Sequence, residues 1–308
     1  MKGKSTLIFM LFFINLFAET TNLSEKFQMI PVGKEKEALF CRSFGTGSPL
    51  LILHGGPGFS HDYLLPEFKR LAKDHLVIFY DQRGCGKSMK AWSSKENLLD
   101  LYLTDIEAIQ DHFGFKKVSI LGHSWGGFLA MHYALCHPER IDRLILSNSM
   151  PACHEEFLIT FKERKAKLKP YEEELQHILT SKALEEGDPK MGEALYRLYA
   201  RVYCYDSEKV NLINFKMTPE AFVNGRKINQ LFFHTDTLKD YNLYPRLKQI
   251  HIKTLVVHGD TDIVPPWMAK KLHDHLPNSE YILLEKCGHF PFVEDPENYF
   301  RHLKNFLK

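Results

Sequence analysis

The segment KVSILGHSWGG, residues 117–127, joins a short apolar run to a helix-like stretch (125–137) through a serine flanked by glycines. Residues 117–122 have the length and near-continuous apolarity of a strand buried on both faces. Gly122 and Gly126 permit the sharp, crowded strand-to-helix turn that lifts the Ser124 hydroxyl out of the sheet. A bare G-x-S-x-G recurs by chance; its place between a strand and a helix gives it weight. The helix behind it aims the positive end of its dipole at any negative charge developing on a substrate.

Working outward, strand-length apolar runs alternate with helical periodicity. Strands are expected at 37–45, 49–54, 75–81, 117–122, 143–148, 253–259 and 280–287. Helices are expected near 63–74, 98–113, 125–137, 266–276 and 296–307. This is the rhythm of an α/β fold, a mostly parallel sheet flanked by helices. It breaks from 151 to 245, where charged helical segments such as FKERKAKLKPYEEELQHIL (161–179) and EALYRLYARVY (193–203) replace strands. The expected organisation is a core made of 19–150 and 246–308, with 151–245 inserted as a helical cap.

The 308 residues are 44% hydrophobic and 25% charged, which excludes a disordered or fibrous chain. Forty Lys and Arg against 38 Asp and Glu leave a net charge of +2, with no basic excess to grip a phosphate backbone; nucleic acid is not an expected partner. Lys2 and Lys4 precede the apolar run Leu7–Phe17 and then Ala18. That pattern reads as a secretory signal peptide over residues 1–18, cut near Ala18, with an uncleaved anchor as the alternative. The run is short of the roughly 20 apolar residues a spanning helix needs. The protein is therefore expected to be exported, periplasmic or secreted. Six cysteines are too few for a disulfide scaffold. If one bridge forms, Cys153 to Cys204 is the expected pair, because both fall in the inserted segment.

A serine hydroxyl needs a base to take its proton, and that base is best a histidine oriented by a carboxylate. Downstream of Ser124 the chain offers HGDTDIVP (258–265) after one expected strand and CGHFP (287–291) after the last. The order Ser, Asp, His is the one a strand-turn-helix serine uses, so Ser124, Asp262 and His289 form the expected triad. Asp260 is the alternative acid, its other role being to stabilise the turn. HGGPG (54–58), after the strand ending at His54, supplies a backbone that approaches the substrate closely. Gly56 N–H and Trp125 N–H are the expected oxyanion donors. Neither this loop nor GCGKS (84–88) has the spacing of a phosphate-binding P-loop. No H-E-x-x-H or paired C-x-x-C occurs, so no metal and no cofactor are expected.

HGGPG at 54–58, DQRGCGKS at 81–88, GHSWGG at 122–127, GDTD at 259–262 and CGH at 287–289 together resemble the proline iminopeptidase family of α/β-hydrolases. The likeness covers about 37–150 and 250–308 and fades in the cap. It implies the α/β-hydrolase fold and a serine exopeptidase that removes an N-terminal residue, often proline. Asp81 and Arg83 would brace loops beside the site. The family binds the substrate ammonium with acids on the cap and beside the catalytic acid. Here Ile263 follows Asp262, and Gln230 stands where a cap segment of the family carries Glu; Glu155, Glu156 or Glu193 could compensate. Phe59, Trp125, Phe232, Phe233 and Phe290 are candidates for an apolar pocket, with Phe59, Gln230, Phe232 and Phe290 as the expected substrate contacts. The leading expectation is an exported aminopeptidase acting on a small molecule or short peptide. An ester or lactone hydrolase with no free-amine requirement is the alternative, and a non-catalytic ligand-binding relative comes third. Oligomeric state is not set by the sequence.

Overall fold

The computed structural model describes residues 24–33, 37–89, 98–233 and 236–308. Eight strands form one sheet: β1 (Glu25–Val32), β2 (Glu37–Phe44), β3 (Ser48–Leu53), β4 (His75–Tyr80), β5 (Val118–His123), β6 (Ile141–Ser147), β7 (Lys253–Gly259) and β8 (Ser279–Leu284). Their order is β1-β2-β4-β3-β5-β6-β7-β8. The β1–β2 and β2–β4 pairs are antiparallel and all others parallel.

The pleat of the central strands explains their unbroken apolarity. Ile120, Leu144, Leu146 and Val256 point into one cluster with the helices Leu98–His112, Trp125–Cys136 and Pro266–Asp274. Leu121, Ile145, Leu255 and Val257 point into the other, with Phe68, Tyr299, Leu303 and Phe306. Both faces are covered, so both parities of residue must be apolar. The register pairs Leu53 with Gly122, and His123 with Ser147. The ends of β3, β5 and β6 therefore stand side by side, where open α/β sheets bind ligands.

Two elements depart from the sequence reading. β1 was not expected: it is an edge strand with Pro31 inside it, Phe27 and Met29 are 55% and 53% exposed, and only Ile30 and Val32 are buried. A strand paired on one side tolerates the proline and shows too short an alternation to be read. The helix expected at 63–74 is instead a short helix, Leu65–Phe68, followed by a tighter 3₁₀ segment, Lys69–Lys73.

Between β6 and β7, helices His154–Leu168, Glu172–Leu179, Pro189–Tyr203 and Pro219–Phe233 pack around a small cluster of their own that includes Leu195, Leu198, Val202 and Phe222. The Glu156 carboxylate ties this cap to the sheet layer, meeting Lys271 Nζ at 2.6 Å as well as Tyr244 Oη at 2.7 Å, and a lone β-bridge between Cys153 and Asn242 holds the two ends of the insertion together. The expected Cys153–Cys204 bridge is absent, and all six cysteines are free thiols. Cys153 is buried in one core cluster and Cys204 in the other, which keeps them apart. Among the described residues no helix is long and apolar enough to cross a membrane. The expected signal peptide at 1–18 lies outside the described residues.

Candidate active site

Ser124 sits between β5 and the helix Trp125–Cys136 with φ 57° and ψ −119°. That left-handed backbone costs a non-glycine residue of order 1–3 kcal/mol, and its surroundings hold it there. Ser124 N–H donates to Ser147 O at 3.1 Å, and Ser124 O accepts from Met150 N–H at 2.9 Å. The flanking glycines answer to space. A Cβ on Gly122 would lie 2.2 Å from Gly126 O, and one on Gly126 would lie 2.1 Å from Leu53 O.

His289 and Asp262 come from the loops after β8 and β7. His289 Nδ1 is 2.8 Å from Asp262 Oδ1 and 3.1 Å from Oδ2, and both residues are buried. Asn148 Nδ2 donates to Asp262 Oδ2 at 2.7 Å, and Val264 N–H donates to Oδ1 at 3.1 Å. Burial by itself would raise the Asp262 carboxyl. The facing His289 and His258, with the hydrogen bonds from His289 and Asn148, hold it well below the usual carboxylate range. The other acid of this loop, Asp260, accepts the Cys287 N–H at 3.1 Å and braces the turn. The His289 loop is also tied to the cap. His289 N–H donates to Tyr203 O at 2.7 Å, while Glu294 accepts from Gly288 N–H at 2.7 Å and Tyr205 N–H at 2.6 Å.

The HGGPG loop is held by a buried polar lattice. His54 donates from Nδ1 to Gly55 O at 2.8 Å and accepts Gln82 N–H on Nε2 at 3.0 Å. Gln82 Nε2 donates to His54 O at 2.7 Å, and Gln82 Oε1 accepts from the Trp125 indole at 2.9 Å. Burial pushes His54 down to about 4, so the ring that fits these bonds is neutral. Among the described residues neither Gly56 N–H nor Trp125 N–H has an acceptor. Asp81 accepts from His61 Nδ1 at 2.7 Å and Lys87 N–H at 2.8 Å. Arg83 donates to Asp105 at 3.0 and 2.5 Å and to Glu37 at 2.7 Å. Both therefore brace loops, as the family likeness implied.

Of the expected substrate contacts, Phe290 lies beside His289, Phe59 joins the same aromatic group through Phe215, and the other two do neither. Phe290 packs against the His289 ring at 5.3 Å and faces Phe215 at 6.4 Å. Phe59 meets Tyr196 of the cap at 4.5 Å and Phe215 at 6.3 Å. Phe232 is instead fully buried against Trp125 and Tyr102, leaving it no surface for a substrate. The Trp125 ring is equally buried, and Phe233 stacks on Phe157 at 4.9 Å. Gln230 is exposed, because the helix Pro219–Phe233 buries Phe222, Gly225, Ile228 and Phe232 on its inner side and turns residue 230 away. Its neighbour Asn229 instead reaches the HGGPG loop, with Nδ2 3.4 Å from Pro57 O. The compensating acids are also occupied or turned outward. Glu155 is exposed, Glu156 is paired with Lys271, and Glu193 is paired with Arg197 at 2.8 Å. Among the described residues no group of three His, Cys, Asp or Glu is arranged to hold a metal ion.

Sequence reading missed Asn148, Tyr63, His123 and Glu294. Asn148 follows the apolar run of β6 directly, and a polar residue at that end of a strand was the one available signal.

A strand-to-helix serine, a buried histidine–carboxylate pair and a glycine loop at adjacent strand ends define a protein of the α/β-hydrolase fold, and that family's profile matches residues 48–296. Proline iminopeptidase of Clostridioides difficile is 32% identical over 268 residues, covering 84% of this chain and 89% of that protein. The Lactobacillus acidophilus proline iminopeptidase is 32% identical over 284 residues, covering 84% and 90%. A crystal structure of proline iminopeptidase from Mycobacterium smegmatis superposes with a TM-score of 0.67 at 24% identity, covering 92% of this chain and 97% of that one. The chain belongs to the proline iminopeptidase family of α/β-hydrolases and is a hydrolase.

Proposed function

We propose that the chain is a serine aminopeptidase that releases an N-terminal residue, with Ser124 as nucleophile, His289 as base and Asp262 as its orienting acid. The observation that carries this reading is the 2.8 Å contact between His289 Nδ1 and a buried, charged Asp262. With Nδ1–H given to the carboxylate, Nε2 is the nitrogen left to take the Ser124 proton. Ser124 Oγ attacks the substrate carbonyl, and the oxyanion is met by Gly56 N–H and Trp125 N–H, which have no other acceptor among the described residues. His289 then returns the proton to the leaving amine, and water, activated the same way, frees the acyl group. Phe59, Tyr196, Phe215 and Phe290 would offer an aromatic wall to an apolar N-terminal residue. The relatives' name, proline iminopeptidase, agrees with a small, apolar one.

A second reading, an ester or lactone hydrolase on the same residues, is favoured by the engagement of Glu156 and Glu193 elsewhere and the outward turn of Gln230. Both readings predict that Ser124→Ala abolishes hydrolysis of p-nitrophenyl acetate, and the first predicts that it also abolishes hydrolysis of L-proline 4-nitroanilide. Retention of more than a few per cent of either rate in a folded variant would refute the nucleophile. The reading extends to export through Lys2, Lys4 and the run Leu7–Phe17. A mature N-terminus at Glu19 is the expected result of sequencing the secreted protein, and an intact Met1 would count against cleavage.

A further inference from the structure

Two buried side chains outside the proposed triad, Tyr63 and His123, connect the backbone of the HGGPG loop to the backbone of His289. Gly55 N–H donates to Tyr63 Oη at 2.7 Å. The phenol then has its own proton to give, and His123 Nδ1 lies 2.6 Å away. On the far side of that ring, His123 Nε2 is 2.9 Å from His289 O. A carbonyl oxygen only accepts, so the ring proton belongs on Nε2, and Nδ1 is left to accept from Tyr63. The three bonds therefore run in one direction, from Gly55 N–H through Tyr63 and His123 to the His289 carbonyl.

Packing does not explain this chain. The Tyr63 ring sits among Phe59, Phe290 and Phe292, company that a phenylalanine would keep equally well. A buried hydroxyl and a buried imidazole both need hydrogen-bond partners, and here those partners are the two loops that catalysis would have to hold in register. Gly55 also lies directly against the nucleophile, since a Cβ there would come within 3.1 Å of Ser124 Cβ. We propose that Tyr63 and His123 are positioning residues that fix the spacing between the Gly55–Gly56 backbone and His289, and so the fit of the site to the tetrahedral intermediate. This rests on the reading of Gly56 as oxyanion donor and His289 as base. Burial, followed by the nearby His289, pushes His123 down to about 3. Although the two rings are 4.9 Å apart, His123 thus stays neutral while its neighbour carries the proton of the reaction.

The test uses the purified enzyme, p-nitrophenyl acetate and an alkylboronic acid that adds to the serine as a tetrahedral adduct. Tyr63→Phe is expected to lower kcat by about 10- to 100-fold, within the range seen when oxyanion donors are disturbed, while KM stays within about twofold. The boronate should weaken by the same factor as kcat/KM falls. His123→Gln, which retains an N–H for the His289 carbonyl, should lose less than His123→Phe. Because one chain is being cut, the Tyr63→Phe/His123→Gln double variant should be no worse than the poorer single by more than about twofold. A Tyr63→Phe enzyme with unchanged kcat and boronate affinity would overturn the proposal, even if it melts at a lower temperature, and so would losses that multiply in the double variant. Ser124→Ala serves as the separate control. If it remains active, the triad reading fails; if it is inactive while Tyr63→Phe is unaffected, only the positioning role fails.

Discussion

Two carboxylates of this molecule, Asp262 after β7 and Glu156 at the start of the cap, are equally hidden from water but keep different company. Asp262 faces His289 and Asn148 and can only be of use to the ring it holds. Glu156 faces Tyr244 Oη at 2.7 Å and Lys271 Nζ at 2.6 Å, the latter on the helix Pro266–Asp274 of the layer beneath it. On the proposed reading the first orients a base, while the second fastens the cap. A buried acid in the cap is thus not by itself an amine-binding acid.

That contrast can be broken at several points, in decreasing order of effect. Asp262→Asn should lower kcat by about 10⁴-fold, as the wrong histidine tautomer becomes fixed; a loss under tenfold would move the orienting role elsewhere. The same change should flatten the acid side of the stability curve. A carboxylate held below its ordinary pKa stabilises the fold above the unfolded value, near 3.9, and loses that contribution as the pH falls toward its folded value. Thermal melts from pH 6 down to pH 3 would show this, and parallel curves for the two proteins would contradict it. Asn148→Ala removes the donor shared by Asp262 and Gly288 O, and a 10- to 100-fold loss of kcat with KM nearly unchanged is expected on the scale of supporting hydrogen bonds. Glu156→Gln should cost no more than about 1 kcal/mol in urea unfolding, since Lys271 is partly exposed and the pair is screened. It should leave the preference for a free amine unaltered; loss of that preference would return Glu156 to the substrate. Gln230→Ala, on the solvent side, should change kcat/KM by less than about twofold.

The sheet and the three strand-end motifs were legible because each is forced by local physics. β5 must be apolar on both faces, Gly122 and Gly126 have no room for a Cβ, and a serine nucleophile needs a histidine and an acid on neighbouring loops. Loop position favours Asp262 over Asp260 as the expected acid; Asp262 lies 2.8 Å from His289 Nδ1, and Asp260 accepts the Cys287 N–H. The cap was legible only as helix. Which of residues 229 and 230 of the helix Pro219–Phe233 turns inward follows from its apolar face, Phe222, Gly225, Ile228 and Phe232, but nothing local says that this face meets Gly58. Gly225 marks that approach: a Cβ there would lie 2.2 Å from Gly58 O, so the two backbones touch. Phe232 shows the same limit, because an aromatic residue near the site reads alike whether it lines a pocket or fills the core beneath it. Tyr63 and His123 carry no sequence signature, since their roles exist only once β3, β5 and the His289 loop are side by side.

The most direct test compares L-proline 4-nitroanilide with its N-acetyl derivative, using the wild-type enzyme and Ser124→Ala. The account predicts that the wild type cleaves the free amine and leaves the acetylated substrate intact, and that Ser124→Ala cleaves neither. Equal cleavage of both substrates, or turnover of p-nitrophenyl acetate with no cleavage of either anilide, would contradict it and make this member of the family an ester hydrolase.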